Sequence, residues 1–178
     1  LSIGHEQTIS QPLVVAFMLE LLQPEPRQKI LDIGSGSGYT TALLAEIVGS
    51  KGRVIGMEIV PELAQFGIKN IAKYGFAEKG IANIIYADAT KGFEREAPYD
   101  RILASAASDA ASASVLKVPS TPEGQSQLPE AWKKQLKVGG RIVTPIANSI
   151  WLFIKKDEEN FEEREYPGFV FVPLVAKP

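Results

Sequence analysis

Cysteine is absent from the 178 residues, which excludes disulfides, thiolate catalysis and zinc–sulfur sites. Histidine occurs once, at His5, leaving little from which to build a metal centre, and no metal site is expected. Positive charge is in no surplus. The 19 Lys and Arg against 21 Asp and Glu give a net charge of −2, which argues against a non-specific nucleic-acid binder. Long apolar runs are missing too: Leu13 to Leu22 contains Glu20 and is too short to span a bilayer. It also lacks a basic flank and a cleavage site, so neither a membrane partner nor a signal peptide is read, and a cytoplasmic location is expected. What remains is a globular composition, 45% apolar and 22% charged. The length suits one ordinary domain with a sizeable core.

The chain alternates short apolar runs with helical stretches. Leu13 to Leu22 reads as a mostly buried helix, stopped by the Pro24-Glu-Pro26 pair. Strands are expected at Lys29 to Ile33, Arg53 to Met57, Asn83 to Ala87, Arg101 to Ser105 and Arg141 to Pro145, with helices near 40–48, 61–74 and 129–137. Pro61 suits a first helical turn. This is the pattern of right-handed βαβ units, hence an α/β fold with a mainly parallel sheet and helices on both faces. Two further runs, Ser149 to Lys155 and Phe169 to Val175, lack an intervening helix and predict an antiparallel C-terminal end. Between strands, Lys155 to Asn160 reads as a solvated turn. Ser108 to Gln127, rich in Ala, Ser, Pro and Gly, has no periodicity. Connections of that length are functional lids or disordered.

The most informative stretch is Ile30-Leu-Asp-Ile-Gly-Ser-Gly-Ser-Gly-Tyr39, an apolar run carrying Asp32 into Gly34, Gly36 and Gly38. A strand entering a glycine turn that opens a helix suits a nucleotide-like ligand. Glu58 closes the next apolar run, twenty positions after Gly38, where a carboxylate can accept both hydroxyls of a ribose diol. Tyr39 stands where the dinucleotide fingerprint needs its third small residue, so a nicotinamide cofactor is the lesser reading. No Lys follows the glycines, which argues against nucleoside triphosphates. In open α/β sheets the loops after the strands converge, and here they carry Asp32 with the glycines, Glu58, Asp88 and Ser105-Ala-Ala107. Asp88 can accept from an adenine amino group, with the Ala89 N–H facing a ring nitrogen. The plain alternative is a solvated or helix-capping Asp. Trp132 and Trp151 read as packing residues.

Asp-x-Gly-x-Gly-x-Gly over Asp32 to Gly38 resembles the first motif of class I S-adenosylmethionine-dependent methyltransferases. Gln7-Thr-Ile-Ser-Gln-Pro12 is similar to the Gly-Gln-Thr-Ile-Ser-x-Pro element of the protein-L-isoaspartate (D-aspartate) O-methyltransferases. The likeness continues in order through Leu31 to Tyr39, Ala97-Pro-Tyr-Asp-Arg-Ile102, Gln135-Leu-Lys-Val-Gly-Gly-Arg-Ile-Val143 and Phe171-Val-Pro-Leu174. It implies a Rossmann-like class I methyltransferase sandwich. It also implies S-adenosylmethionine as methyl donor, S-adenosylhomocysteine as product, and the α-carboxylate of L-isoaspartyl residues in damaged proteins as acceptor. By the resemblance, Asp32 faces the methionine amino group, Glu58 holds the ribose, and the cofactor is bound through Asp32, Gly34, Ser35, Gly36, Gly38, Glu58, Ile59, Asp88 and Ala89. His5, Thr8, Ile9 and Ser10 lie beside the substrate carboxylate, with Ser10 the catalytic residue.

Taken alone, Ser10 also reads as the cap of the helix that follows. The domain divides into an N-terminal substrate loop and helix (1–28), a cofactor-binding core (29–145) and C-terminal strands (146–178), and a monomer is expected. Glu6 stands where the family usually has Gly, Ala87-Asp88-Ala89 replaces the commoner Gly-Asp-Gly, and the 108–127 segment is long for the family. The chain begins at Leu1 without the helices that usually precede this loop. Two rivals stay open: a class I methyltransferase for another carboxylate or modified peptide, and a non-catalytic adaptor that keeps the fold.

Overall fold

A computed structural model describes residues 2–4, 7–105 and 128–169. A small hairpin, β1 (Ser2–Gly4) and β2 (Gln7–Thr8), opens the chain. Helix α1 (Pro12–Leu22) follows, and then β3 (Lys29–Ile33), α2 (Tyr39–Val48), β4 (Arg53–Glu58), α3 (Pro61–Ala72) and β5 (Ala82–Tyr86) alternate. Strand β6 (Tyr99–Ala104), the short helix α4 (Glu130–Gln135) and strands β7 (Leu136–Ile146), β8 (Ser149–Lys155) and β9 (Phe161–Pro167) complete the described chain. Seven strands form one sheet in the order β5-β4-β3-β6-β7-β8-β9. The first five are parallel, whereas β8 runs antiparallel to both of its neighbours, β7 and β9. This is the class I methyltransferase fold.

Because side chains alternate along each strand, the sheet buries two separate apolar layers. Ile30, Val54, Ile84, Leu103 and Val143 point to one face, where α1, α2 and α3 cover them with Met18, Leu22, Leu44, Val48 and Ile71. Leu31, Ile33, Ile55, Met57, Ile102 and Ile142 point to the other, where they meet Tyr99, Trp132 and Leu136. Among the described residues, that second face carries α4 and short turns. At the C-terminal end of α1 the free carbonyls are met by cations. Arg101 Nε donates to Leu22 O at 2.8 Å and Arg141 Nη1 to Leu21 O at 2.9 Å. Positive charge there also suits the helix dipole.

Two expectations shift, and one further strand appears. The stretch near 129–137 is helical only to Gln135, because Leu136 already pairs with Tyr99 at the start of β7. A strand not read from the sequence runs over Phe161–Pro167, and of the expected Phe169 to Val175 all but Phe169 lies outside the described residues. Its Glu162-Glu-Arg-Glu165 core carries no apolar signal, since among the described residues this is an edge strand with an exposed face, where charge disfavours further pairing. The 155–160 turn forms, around Asp157, whose Oδ1 accepts from the N–H groups of Glu159 and Asn160. Lys155 is not solvated with it. It is 2% exposed, and its Nζ donates to Lys133 O and Leu136 O at 3.1 and 3.0 Å and pairs with Glu158 at 2.8 Å.

Candidate functional site

The strand order reverses at β3, which has β4 on one side and β6 on the other, and in open α/β sheets a ligand crevice opens outside the carboxyl ends of the strands at such a switch point. An open cleft with an empty volume of about 860 Å³ occupies that position. The turn after β3, the ends of β4 and β5, Ser105 after β6 and the N-terminal segment all contribute walls.

The glycine turn forms the floor. Gly34, Gly36 and Gly38 have φ of 72°, 49° and 78°, a region side chains avoid. Gly38 also allows close packing: a Cβ there would lie 2.9 Å from Gly67 O in α3. The reverse holds for Gly67, whose added Cβ would lie 2.8 Å from Gly36 O. Four of the turn's N–H groups are committed within the protein. Gly34 and Ser35 donate to Met57 O, Gly38 to Ser35 O, and Gly36 to Glu58 Oε2 at 2.8 Å. A phosphate cradle needs such N–H groups free to converge on an anion. Here one of them faces a carboxylate instead, so the floor suits a ligand without phosphate.

Glu58, 7% exposed, accepts three backbone hydrogen bonds, from Gly36 at Oε2 and from Ile59 and Val60 at Oε1. An ionised carboxylate offers about four lone-pair sites, so a hydroxyl can still be accepted at Oε2. Asp32 lies beneath the turn, fully buried, rather than on the cleft wall. Its Oδ2 accepts from the hydroxyls of Thr40 and Thr41 at 2.8 and 2.6 Å. Burial pushes its carboxyl up to about 6; the two threonine hydroxyls oppose the shift and the charge of Glu58 adds to it. Asp32 Oδ1, Ser35 Oγ and Ser105 Oγ are buried without a protein partner among the described residues. They sit at the ends of two adjacent strands, tied by the Ser105 N–H to Ile33 O at 2.9 Å. Buried polar atoms in native proteins have partners, so these ask for a polar ligand or water.

Asp88 combines the two readings offered for it. Its Oδ1 accepts from Thr90 N–H at 2.9 Å, capping the short turn at Ala89–Lys91, and the residue lines the cleft beside Ala89. Ser10 does not cap α1. The cap position is Gln11, with no side-chain cap bond, and Ser10 lines the cleft with Ile3, Gln7 and Ile9. Thr8 lies in β2, whereas His5 and Glu6 fall outside the described residues, as do 106–127. The cleft therefore brings together Ile9, Ser10, Gly34, Ser35, Gly36, Glu58, Ile59, Asp88 and Ala89.

Sequence reasoning missed Ile3, Tyr39, Thr40 and Gly67. The adjacent hydroxyls Thr40-Thr41 eight residues after Asp32 were the available signal for one of them. Gly67, alone in an amphipathic helix, had none. Among the described residues no three His, Asp or Glu side chains are placed to hold a metal ion, and no helix is long and apolar enough to cross a membrane.

Known proteins resemble this chain in sequence and in fold. A profile of the protein-L-isoaspartate(D-aspartate) O-methyltransferase family matches residues 1–178. The protein-L-isoaspartate O-methyltransferase of Methanopyrus kandleri is 40% identical over 181 residues, covering 99% of this chain and 72% of that protein. A solved protein-L-isoaspartate O-methyltransferase superposes with a TM-score of 0.81 at 26% identity, over 99% of this chain. The chain spans about half of that structure, 51%. A Thiobacillus denitrificans S-adenosylmethionine-dependent methyltransferase, solved with S-adenosyl-L-homocysteine, shares the fold at a TM-score of 0.55 and 18% identity, covering 79% of this chain and 51% of that one.

Proposed function

The chain belongs to the protein-L-isoaspartate(D-aspartate) O-methyltransferase family, an S-adenosylmethionine-dependent enzyme family, and on that footing we propose how its cleft methylates L-isoaspartyl residues in damaged proteins. One observation carries the reading: Ser10 and Ile9 of the family's N-terminal element open into the same cleft as the glycine turn, Glu58 and Asp88.

The residues present fit the cofactor. The partnerless Ser35 Oγ and Ser105 Oγ belong to residues that line the cleft and suit its polar methionine end, with the Asp32 carboxylate buried beneath the turn as support. The spare capacity of Glu58 suits a ribose hydroxyl, and Asp88 with Ala89 suits adenine. When bound, S-adenosylmethionine supplies a sulfonium methyl open to attack by an oxygen lone pair. The protein's part is orientation. A substrate α-carboxylate is already ionised at neutral pH, so no base is required. Ser10 donates a hydrogen bond that aims one carboxylate oxygen, and Ile9 and Ile3 keep water from the line of approach. Most of the rate gain is positional, from holding the reacting atoms at attack distance. The Ser10 bond stays modest because methylation removes the oxygen's charge, and a strong bond would favour the ground state.

The domain serves this in three parts, the substrate segment 1–28, the cofactor core 29–145 and the strands 146–178. The net charge of −2 supports a protein substrate over a nucleic acid, and we read the enzyme as a cytoplasmic monomer without a membrane partner. The deciding experiment offers the purified protein an isoaspartyl peptide and its normal Asp twin. In the isoaspartyl linkage the free carboxylate is one methylene closer to the backbone, and a displacement of about 1 Å loses roughly a hundredfold in rate. Methyl incorporation into the first and little into the second is expected. Equal methylation of both, or of neither beside firm cofactor binding, would overturn the assignment.

A further inference from the structure

Trp132 and Gln135 lie outside the cleft, buried in α4, yet both reach the segment that carries Asp88. The Trp132 indole N–H donates to Ala89 O at 2.9 Å. That carbonyl belongs to the same peptide unit as the Thr90 N–H, which donates to Asp88 Oδ1 at 2.9 Å. Peptide planarity makes the two bonds one rigid relay: fixing the carbonyl end fixes the direction in which the N–H end holds the carboxylate. Accepting at the carbonyl also polarises the unit and strengthens its N–H as a donor.

Gln135 secures the next residues with both ends of its amide. Its Nε2 donates to Lys91 O at 2.9 Å and its Oε1 accepts from Phe93 N–H at 2.8 Å. Gly92 leaves the space for this, since a Cβ there would lie 2.2 Å from Gln135 Oε1. Helix α4 is itself anchored, through Lys133 O and Leu136 O, by the Lys155 ammonium of β8. An unbroken set of bonds thus runs from β8 through α4 to Asp88.

We infer that Trp132 and Gln135 are positioning residues that set how strictly the cleft reads an adenine base. The inference rests on the cofactor reading above. If Asp88 accepts from the adenine amino group, loosening its carboxylate weakens that contact and leaves the sugar and methionine contacts alone. Binding of S-adenosylhomocysteine and of S-inosylhomocysteine, whose base carries oxygen in place of the amino group, separates these terms by calorimetry. Trp132→Phe keeps an aromatic ring and removes the donor. It should weaken S-adenosylhomocysteine about three- to tenfold, the range of one hydrogen bond. S-inosylhomocysteine should change little, and the KM for an isoaspartyl peptide should hold.

Gln135→Leu should shrink the adenine preference in the same sense and supplies the readout if the Trp132 variant does not fold. Equal weakening of both ligands, or a lower melting temperature with the preference intact, would make the pair mere packing and overturn the inference. A wild-type protein that binds both ligands equally would also overturn it. Failure of the wild type to bind either ligand would instead strike the cofactor reading itself.

Discussion

Ser10 and Asp32 differ in what their side chains are free to do. The cap of α1 is Gln11, so the Ser10 hydroxyl is not needed to start the helix. Ser10→Ala is expected to lower kcat/KM roughly ten- to a hundredfold, the worth of a charge-assisted bond. Its unfolding free energy should stay within about 0.5 kcal/mol of wild type. Kinetics unchanged beside a lower melting temperature would make Ser10 structural. Asp32 has the opposite character, with a carboxyl at about 6 in the fold against 3.8 ordinarily. The native state therefore holds more protons than the unfolded chain between those values, and stability falls as pH rises through them. About two pKa units correspond to roughly 3 kcal/mol, present in acid and gone above the folded value. Asp32→Asn does not titrate, so its melting temperature minus that of wild type should rise from about pH 4 to about 6 and then level off. A flat difference would mean that Asp32 stays ionised throughout.

At the scale of elements, α3 and the glycine turn are one packed unit. Helical Gly→Ala ordinarily gains about 1 kcal/mol. At Gly67 the new Cβ meets the backbone oxygen of Gly36 at 2.8 Å, and such overpacking costs about 1–3 kcal/mol. The clash should win. Gly67→Ala is expected to unfold at lower urea and to bind S-adenosylhomocysteine more weakly, because the turn must shift to make room. Normal affinity with raised stability would show that the turn gives way freely. The same pair illustrates what the sequence could disclose. Gly34 to Gly38, Glu58 and Asp88 were legible because each ends an apolar run, and a parallel sheet gathers such ends at one edge. The strands from β3 to β7 were legible for the same reason, apart from their ends. Strand β9 was not, since an edge strand can be polar throughout, nor was the β1–β2 hairpin, too short for any periodicity. The bond from Trp132 to Ala89 spans 43 positions, and such a distant pairing leaves no mark in local sequence.

For the molecule as a whole, ligand binding at one edge of the sheet should be visible far beyond it. A ligand that binds only the folded state at a hundred times its dissociation constant adds about 2.7 kcal/mol. For a domain of this size that is about 5–10 °C in melting temperature. With S-adenosylhomocysteine, hydrogen exchange should slow first in residues 34–38, 58–60 and 87–90, and a melting shift without that pattern would point to another site. Lys155 offers a different kind of access to the same motions. Its amine is closed off from solvent and ringed by Lys133 O, Leu136 O and Glu158. An acylating reagent needs a bare, reachable nitrogen, so surface lysines will be consumed while this one is spared. Its labelling then keeps time on how often α4 lifts from β8, a clock already wound into the chain that can be read by mass without introducing a probe.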